Sequence, residues 1–325
     1  MKKIIVLFIL LLITGCSNKD YNQFNMFFMD TYINIKIYDL KFEDKDKVYN
    51  EIYDIYSVYD ALCDRYTDYI GVNNVYYLNN VLEDGQSVVI DDRLAEVIAY
   101  GLDAYYLTSG KVNIAMGNVL DLWKKYRDSG EGIPSEEEFK NLKSISIFDI
   151  ILNDNVYTKY NNVKLDLGSY AKGYVTELVA DKLEEMGYYS YLINSGGNVK
   201  VGNHYSDDKY KIGIENPNED YLVYKIVSAN NTSVVTSGGY KRYYIYDDVK
   251  YHHIIDPVTL YPSNFSLGVS VITENSAYAD ILSTYLFLLP IEEGIYFVNS
   301  NDLVEALWYG IDDKVYLSEG YDKYE

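Results

Sequence analysis

Four short segments combine residue types that could do chemistry. Asp280 and Thr284 stand four apart in Ala279-Asp280-Ile281-Leu282-Ser283-Thr284. On a helix that spacing puts a carboxylate and a hydroxyl on one face. Two such oxygens suit a hard cation such as Mg²⁺, which also binds phosphates. A carboxylate near a helix start and a packed threonine would explain them equally well. His252 and His253, two of three histidines in the chain, lead into Ile254-Ile255-Asp256-Pro257. A histidine near a carboxylate is a candidate general base. In a strand the two imidazoles face opposite sides, so they are not expected to act together. The plain alternative is a satisfied histidine at a strand end. Asp166-Leu167-Gly168-Ser169-Tyr170-Ala171-Lys172-Gly173 reads as a strand-to-helix turn. Free backbone N–H groups and the helix dipole there attract an anion, and Lys172 adds a point charge. Most such turns are only turns. Asn194-Ser195-Gly196-Gly197-Asn198 offers close backbone approach or positive φ, or simply a tight hairpin.

Each segment needs an element behind it. Alternation at Ile33, Ile35 and Ile37 predicts a strand over 27–38. Residues 43–62 and 91–109 read as helices, the second stopped by Gly110. Ser135-Glu136-Glu137-Glu138 is a capping box. Residues 162–167 read as a strand. A helix follows from Ala171 to Met186, with Val175, Leu178, Val179 and Leu183 on one face and Gly187 as its stop. A strand over 189–194 runs into the paired glycines. Further strands are expected at 210–214, 221–228, 241–246, 249–255 and 266–273. The last strong helix is 276–289, and strands near 303–308 and 313–317 close the chain. Mixed helices and long antiparallel-looking runs predict an α+β fold.

Composition narrows the partners. Lys plus Arg total 28 against 49 Asp plus Glu, a net charge of −21. A surface so acidic excludes nucleic acid, whose phosphates need a basic face. An anionic ligand needs a locally positive or metal-filled pocket. There are 39 tyrosines and two cysteines. Most of the tyrosines are read as strand and packing residues without a function. With Cys16 lipidated, Cys63 has no partner for a disulfide.

The first residues form a targeting segment. Met1-Lys2-Lys3 is a basic start, and the apolar run Ile4 to Ile13 is too short to cross a bilayer of about 30 Å. Ile13-Thr14-Gly15-Cys16 has the lipobox pattern, in which small residues precede a cysteine that receives lipid. The expected organisation is a signal peptide over 1–16 ending at lipidated Cys16, a tether over 17–23 and one domain over 24–325. Acyl chains on Cys16 would hold the protein at the outer face of the cell membrane.

Taken together and in order, the motifs resemble the ApbE family of FAD:protein FMN transferases. Met29-Asp30-Thr31 is similar to M-G-T, and Asn113 to Trp123 resembles the segment F-[DN]-[IP]-[TA]-x-G-x-[LV]-x-x-[LI]-W. Asp166 to Gly173 matches D-L-G-x-x-A-K-G. Ser195 to Asn198 contains G-G-[DN], and Thr236-Ser237-Gly238-Gly239-Tyr240 matches T-S-G-[DG]-Y. His252 to Pro257 matches H-H-I-I-D-P, and Ala279 to Thr284 matches A-D-x-L-[AS]-T. The resemblance implies an ApbE-like α+β fold with largely antiparallel strands. It implies that FMN moves from FAD to a Thr or Ser hydroxyl of a carrier protein, releasing AMP, with Mg²⁺ as cofactor. Carried over, Asp280, Thr284 and the backbone carbonyl of Ser169 hold Mg²⁺. Asp166 and Lys172 contact FAD; Met29, Lys111, Val112, Asn113 and Ile254 line its pocket. His253 is the base for the acceptor hydroxyl, and Asp256 a second metal or orienting carboxylate.

The departures fall on flavin-side loops. Asp30 replaces a glycine, Val112-Asn113 stands where many members have F-D, and Asp256-Pro257-Val258-Thr259-Leu260 lacks the Arg and Gly of D-P-R-T-G. The metal pattern is intact. The alternatives are an FAD pyrophosphatase on the same fold, a non-catalytic flavin-binding lipoprotein, and a tyrosine-rich adhesin. A pure binder needs no base beside a metal, and an adhesin predicts repeats that the sequence lacks.

Overall fold

The computed structural model describes residues 21–218 and 222–325; Cys16 and the apolar run before it lie outside them. The chain opens with strands β1 (Asn22–Phe28) and β2 (Thr31–Ile37), then helices α1 (Lys45–Cys63) and α2 (Val75–Asn80). Strand β3 (Ser87–Val89) precedes α3 (Asp92–Leu107), α4 (Gly117–Ser129) and the short α5 (Glu136–Lys140). Strands β4 (Ile150–Asn153) and β5 (Val156–Lys159) lead to α6 (Ala171–Glu185). Seven strands follow to residue 252: β6 (Tyr191–Ser195), β7 (Asn198–Val201), β8 (Tyr210–Glu215), β9 (Val223–Ala229), β10 (Thr232–Gly238), β11 (Tyr243–Tyr246) and β12 (Val249–His252). The chain closes with β13 (Ser266–Thr273), α7 (Ser276–Phe287), α8 (Ile291–Asn299), β14 (Glu305–Gly310) and β15 (Val315–Leu317).

Eight strands form one sheet in the order β1-β2-β6-β7-β10-β13-β14-β15, every neighbouring pair antiparallel. The α+β architecture is as the sequence predicts. The alternation of β2 buries Ile33, Ile35 and Ile37, while Tyr32 and Lys36 face outward. α6 and α7 lie against each other, α7 on β10 and β13 and α6 on β6 and β7, while α8 packs on β14; β13 and β14 are buried along nearly their whole length. β3, β4 and β5 form a small separate sheet, and β8–β9 and β11–β12 are two-stranded ribbons. The capping box at Ser135 and Glu138 forms as expected.

Two expected strands are corrected. The run 27–38 is interrupted at Met29 and Asp30, which turn with φ of 52° and 54°. Both residues of a tight two-residue hairpin loop need positive φ. The run 162–167 begins in a turn, with Asn162 at φ of 51°, and makes one isolated parallel bridge, Lys164 to Met116, in place of a strand. Asn79 takes the place of a partner strand there. Its side chain donates to the Leu165 carbonyl at 2.9 Å and accepts from the Leu165 N–H at 2.7 Å.

Sheet order gathers the motifs. The Met29–Asp30 turn joins β1 to β2, and the Gly196–Gly197 turn joins β6 to β7 beside it. Gly196 has φ of 62°, and a Cβ there would collide with the Thr31 side chain, so the two turns touch. Asn198 opposes Val235 on β10, which carries Thr236, Ser237 and Gly238 on to the same end of the sheet.

Candidate active site

α7 lies across this end of the sheet and presents Asp280 over Asn198 and Thr284 over Ser237. Asp280 is buried, at 6% exposure, and pairs with no Lys or Arg among the described residues. Its Oδ2 accepts the Gly173 N–H at 2.8 Å. Burial pushes its carboxyl above the usual range; the Lys172 charge, the Gly173 N–H and the Asn198 amide pull the other way. The Asn198 Nδ2 lies near the carboxylate but is not aligned for a hydrogen bond. Its oxygen accepts from Ser276 Oγ at 2.6 Å.

The close approach of α6 to α7 depends on Gly173. A Cβ at that position would stand 2.6 Å from the Asp280 Cβ and 2.9 Å from Asn198 Nδ2, and would collide with the Ser276 carbonyl. Gly173→Ala is expected to cost about 1–3 kcal/mol by overpacking and to displace Asp280. A thermal melt with a turnover assay checks this; an unchanged melting point and full activity would contradict the packing described.

The oxygens around Asp280 fit a hard cation. Thr284 Oγ1 has only a long 3.4 Å contact, to Ser237 Oγ, which pairs better with Ser283 Oγ at 2.8 Å. The Ser169 carbonyl receives no backbone donor among the described residues, because the Gly173 N–H is turned to Asp280. One carboxylate, one hydroxyl and one free carbonyl form an oxygen-only set, as Mg²⁺ prefers. The described residues contain no cluster of three His, Cys, Asp or Glu side chains suited to a metal. A cation here would therefore complete its shell with water and substrate oxygens.

Lys172 stands in the first turn of α6. Its Nζ reaches the Gly168 carbonyl at 3.4 Å and pairs with no carboxylate among the described residues. An unpaired ammonium at a helix N-terminus is suited to a phosphate. Asp166 is placed differently. Its Oδ1 accepts the Gly168 N–H at 2.9 Å, and its Oδ2 pairs with Arg65. Arg65 is buried and also bonds Asp121 at 2.7 Å and the Gly117 carbonyl at 3.0 Å. Asp166 thus shapes the loop that carries Ser169 and Lys172. Sequence reasoning missed Arg65, whose partners lie 52 to 101 residues away.

The two histidines have different jobs. His252 Nε2–H donates to the Ser263 carbonyl at 2.5 Å, and its Nδ1 accepts the Ile254 N–H at 3.2 Å. Both nitrogens are used, so His252 braces the loop. His253 Nδ1–H donates to the Arg242 carbonyl at 3.2 Å, which also accepts the His253 N–H at 3.1 Å. A carbonyl can only accept, so the proton sits on Nδ1 and Nε2 keeps its lone pair. Burial, then the charges of Arg242 and His252, push His253 down to about 3, with Lys172 adding to the effect. Its imidazole is neutral near pH 7, as a base must be.

The remaining predicted residues line the approach or support it. Met29 and Asp30 form the hairpin turn, with the Met29 N–H donating to Asp60 Oδ1 at 2.6 Å. Lys111 Nζ pairs with Asp256 Oδ2 at 2.6 Å, and Asp256 Oδ1 accepts the Val258 N–H at 2.7 Å. Both oxygens of Asp256 are engaged, so it orients the loop after the base and is not free to serve a second metal. Val112 is 2% exposed and packs in the main core, so its side chain offers no pocket surface. Asn113 is held by the Ile145 carbonyl and the Ala115 N–H. Ile254 is half-buried against the core that contains Leu282 and Trp308. Cys63 is no nucleophile: burial pushes its thiol up to about 12.

The sequence profile of the ApbE family matches residues 29–308, most of the chain. This chain belongs to the ApbE family. An FAD:protein FMN transferase of Klebsiella pneumoniae is 29% identical over 267 residues, covering 79% of this chain and 82% of that protein. The FAD:protein FMN transferase of Treponema pallidum is 29% identical over 253 residues, 72% of this chain and 70% of that one. The crystal structure of the ApbE protein of Thermotoga maritima superposes with a TM-score of 0.84 at 25% identity, over 94% of this chain and 99% of that one. The flavin transferase ApbE of Vibrio cholerae gives 0.80 at 23% identity, with 94% and 99% covered, and bears on the fold alone. The motifs that form the sheet-end site here all lie within the span the family profile matches.

Proposed function

We propose that this ApbE-family chain is a transferase that moves FMN from FAD to a Ser or Thr hydroxyl of a carrier protein outside the cytoplasm, releasing AMP. One observation carries the reading. A neutral base with a free Nε2, an unpaired lysine and a buried carboxylate with open oxygens share one end of the sheet. The Lys172 charge acts on both His253 and Asp280.

The chain's residues then divide the work. The Lys172 ammonium, in the first turn of α6, holds the pyrophosphate. His253 Nε2 takes the proton of the acceptor hydroxyl, whose oxygen bonds to the FMN phosphorus as the phosphorus–oxygen bond to AMP breaks. Asp280, Thr284 and the Ser169 carbonyl would hold Mg²⁺, which supplies positive charge to the phosphate oxygens when bound. Asp256 and Lys111 fix the loop behind the base. Chromatography of FAD incubated with the protein, Mg²⁺ and a carrier domain tests this. AMP should appear with protein-bound flavin in equal amount. Free FMN in place of bound flavin would make the chain a hydrolase.

We place the protein at the outer face of the cell membrane by a lipid on Cys16, on the strength of the lipobox. Cys16→Ala should leave it unlipidated, unprocessed or released. Fractionation that finds the variant processed and membrane-bound like the parent would contradict this.

A further inference from the structure

The glycine of the family's M-G-T is Asp30 in this chain. Its exposed side chain meets Arg242 at the foot of the β11–β12 ribbon. Arg242 Nη2 lies 2.8 Å from Asp30 Oδ2 and 3.3 Å from the Asp30 carbonyl. At its other end, the Arg242 carbonyl accepts both the N–H and the Nδ1–H of His253. One residue therefore touches the turn that carries Met29 and the imidazole that serves as base. The turn is fixed from behind by the Met29 N–H bond to Asp60. The ribbon joins no other strand of any sheet. Tyr251 stacks on Trp123 on one side of it, and among the described residues the ion pair that ties its foot to the β1–β2 turn is Arg242 with Asp30.

We propose that Asp30 and Arg242 form a clasp that sets His253 against the flavin-side turn, making Arg242 a positioning residue for flavin transfer. The proposal rests on the transfer reading above. The pair is exposed, with Asp30 at 81% and Arg242 at 56% side-chain exposure. A pair so open to water adds little to folding. Its effect is on geometry, since an ångström of misplacement at a reacting centre slows a reaction far more than it destabilises a fold. The clasp tightens when a carrier covers the mouth and removes water, because attraction grows as the local dielectric falls.

The full-length protein and three variants test it: Asp30→Gly, Arg242→Ala and the double replacement. Glycine suits the positive φ of Asp30, so only the ion pair is lost. Each single change should lower kcat for flavin transfer about ten- to hundredfold by misplacing the base, with little change in the KM for FAD. The double variant should be no slower than the worse single, and melting points should stay level. Arg242→Lys, which can still reach Asp30, should recover much of the rate. Additive losses, or a kcat unchanged in both single variants, would overturn the clasp.

A second readout needs no turnover. With three histidines in the chain, the ring signals of His253 can be followed by NMR. The groups that act on it are Arg242, His252 and Lys172. Arg242→Ala should raise its pKa by removing one of these charges. Asp30→Gly should move its ring signals when Arg242 is present and leave them in place when Arg242 is replaced by alanine. Signals indifferent to Asp30 in both backgrounds would contradict the clasp. A parent protein that transfers no flavin, yet shows this NMR coupling, would instead overturn the transfer reading.

Discussion

Asp280→Asn is expected to fold normally and to lose both FAD cleavage and flavin transfer. The amide oxygen can still accept the Gly173 N–H, so the contact between α6 and α7 survives. What disappears is the negative charge. Asp280 is the one carboxylate of the proposed Mg²⁺ ligands, the others being the Thr284 hydroxyl and the Ser169 carbonyl. Without it, a divalent cation has only neutral ligands from the protein. The chain carries a net charge of −21, and Lys172 is the unpaired cation beside the site. An anionic pyrophosphate then meets a weakened counter-charge as it breaks. The loss should be at least about 10²–10³-fold, the scale for removing one preorganised electrostatic contact. EDTA should do the same to the parent protein, and added Mg²⁺ should restore the parent but not the variant. Parent-like turnover by a folded Asp280→Asn at low Mg²⁺ would remove Asp280 from the metal site.

His253→Ala is expected to bind FAD as the parent does but to transfer FMN about 10²–10⁴-fold more slowly, the usual worth of a positioned base. Fluorescence titration with FAD separates binding from transfer. The hydrogen-bond pattern singles out His253 over His252, whose two nitrogens are both occupied. Full transfer by His253→Ala would remove His253 from the mechanism. The same histidine also bears on stability. Its pKa in the folded chain is pushed to about 3 from an ordinary 6.5, chiefly by burial. Between those values the unfolded chain binds a proton that the folded chain refuses. Its contribution to stability is therefore complete above pH 6.5 and falls as the pH drops toward 3. Melting points of the parent and of His253→Ala, followed across that window, should show a shallower acid decline in the variant.

The site was legible in the sequence where local spacing governs it. The i, i+4 pair of Asp280 and Thr284 lies on one helix, and β13 spans the very residues that its apolar run marks. The capping box at Ser135 was equally local. The turn at Met29–Asp30 was not legible, because neither residue is the Asn, Asp-Gly or Gly pair that announces a tight hairpin. Nor was the loss of a strand at 162–167, because Asn79, a residue 86 positions away, supplies the missing hydrogen bonds. Arg65 and Arg242 were invisible for the same reason: each acts on partners that are close only in space. Asp256 shows the converse. A carboxylate near a histidine invites a catalytic role, but Lys111, 145 residues earlier, already holds it.

The central claim is that this chain makes a covalent bond between FMN and a carrier hydroxyl. The most direct measurement is the intact mass of a purified carrier domain after incubation with the protein, FAD and Mg²⁺. The account predicts that the carrier gains the mass of FMN less one water, and that replacing its acceptor Ser or Thr by alanine prevents the gain. A carrier of unchanged mass, while FAD is consumed to free FMN and AMP, would contradict it.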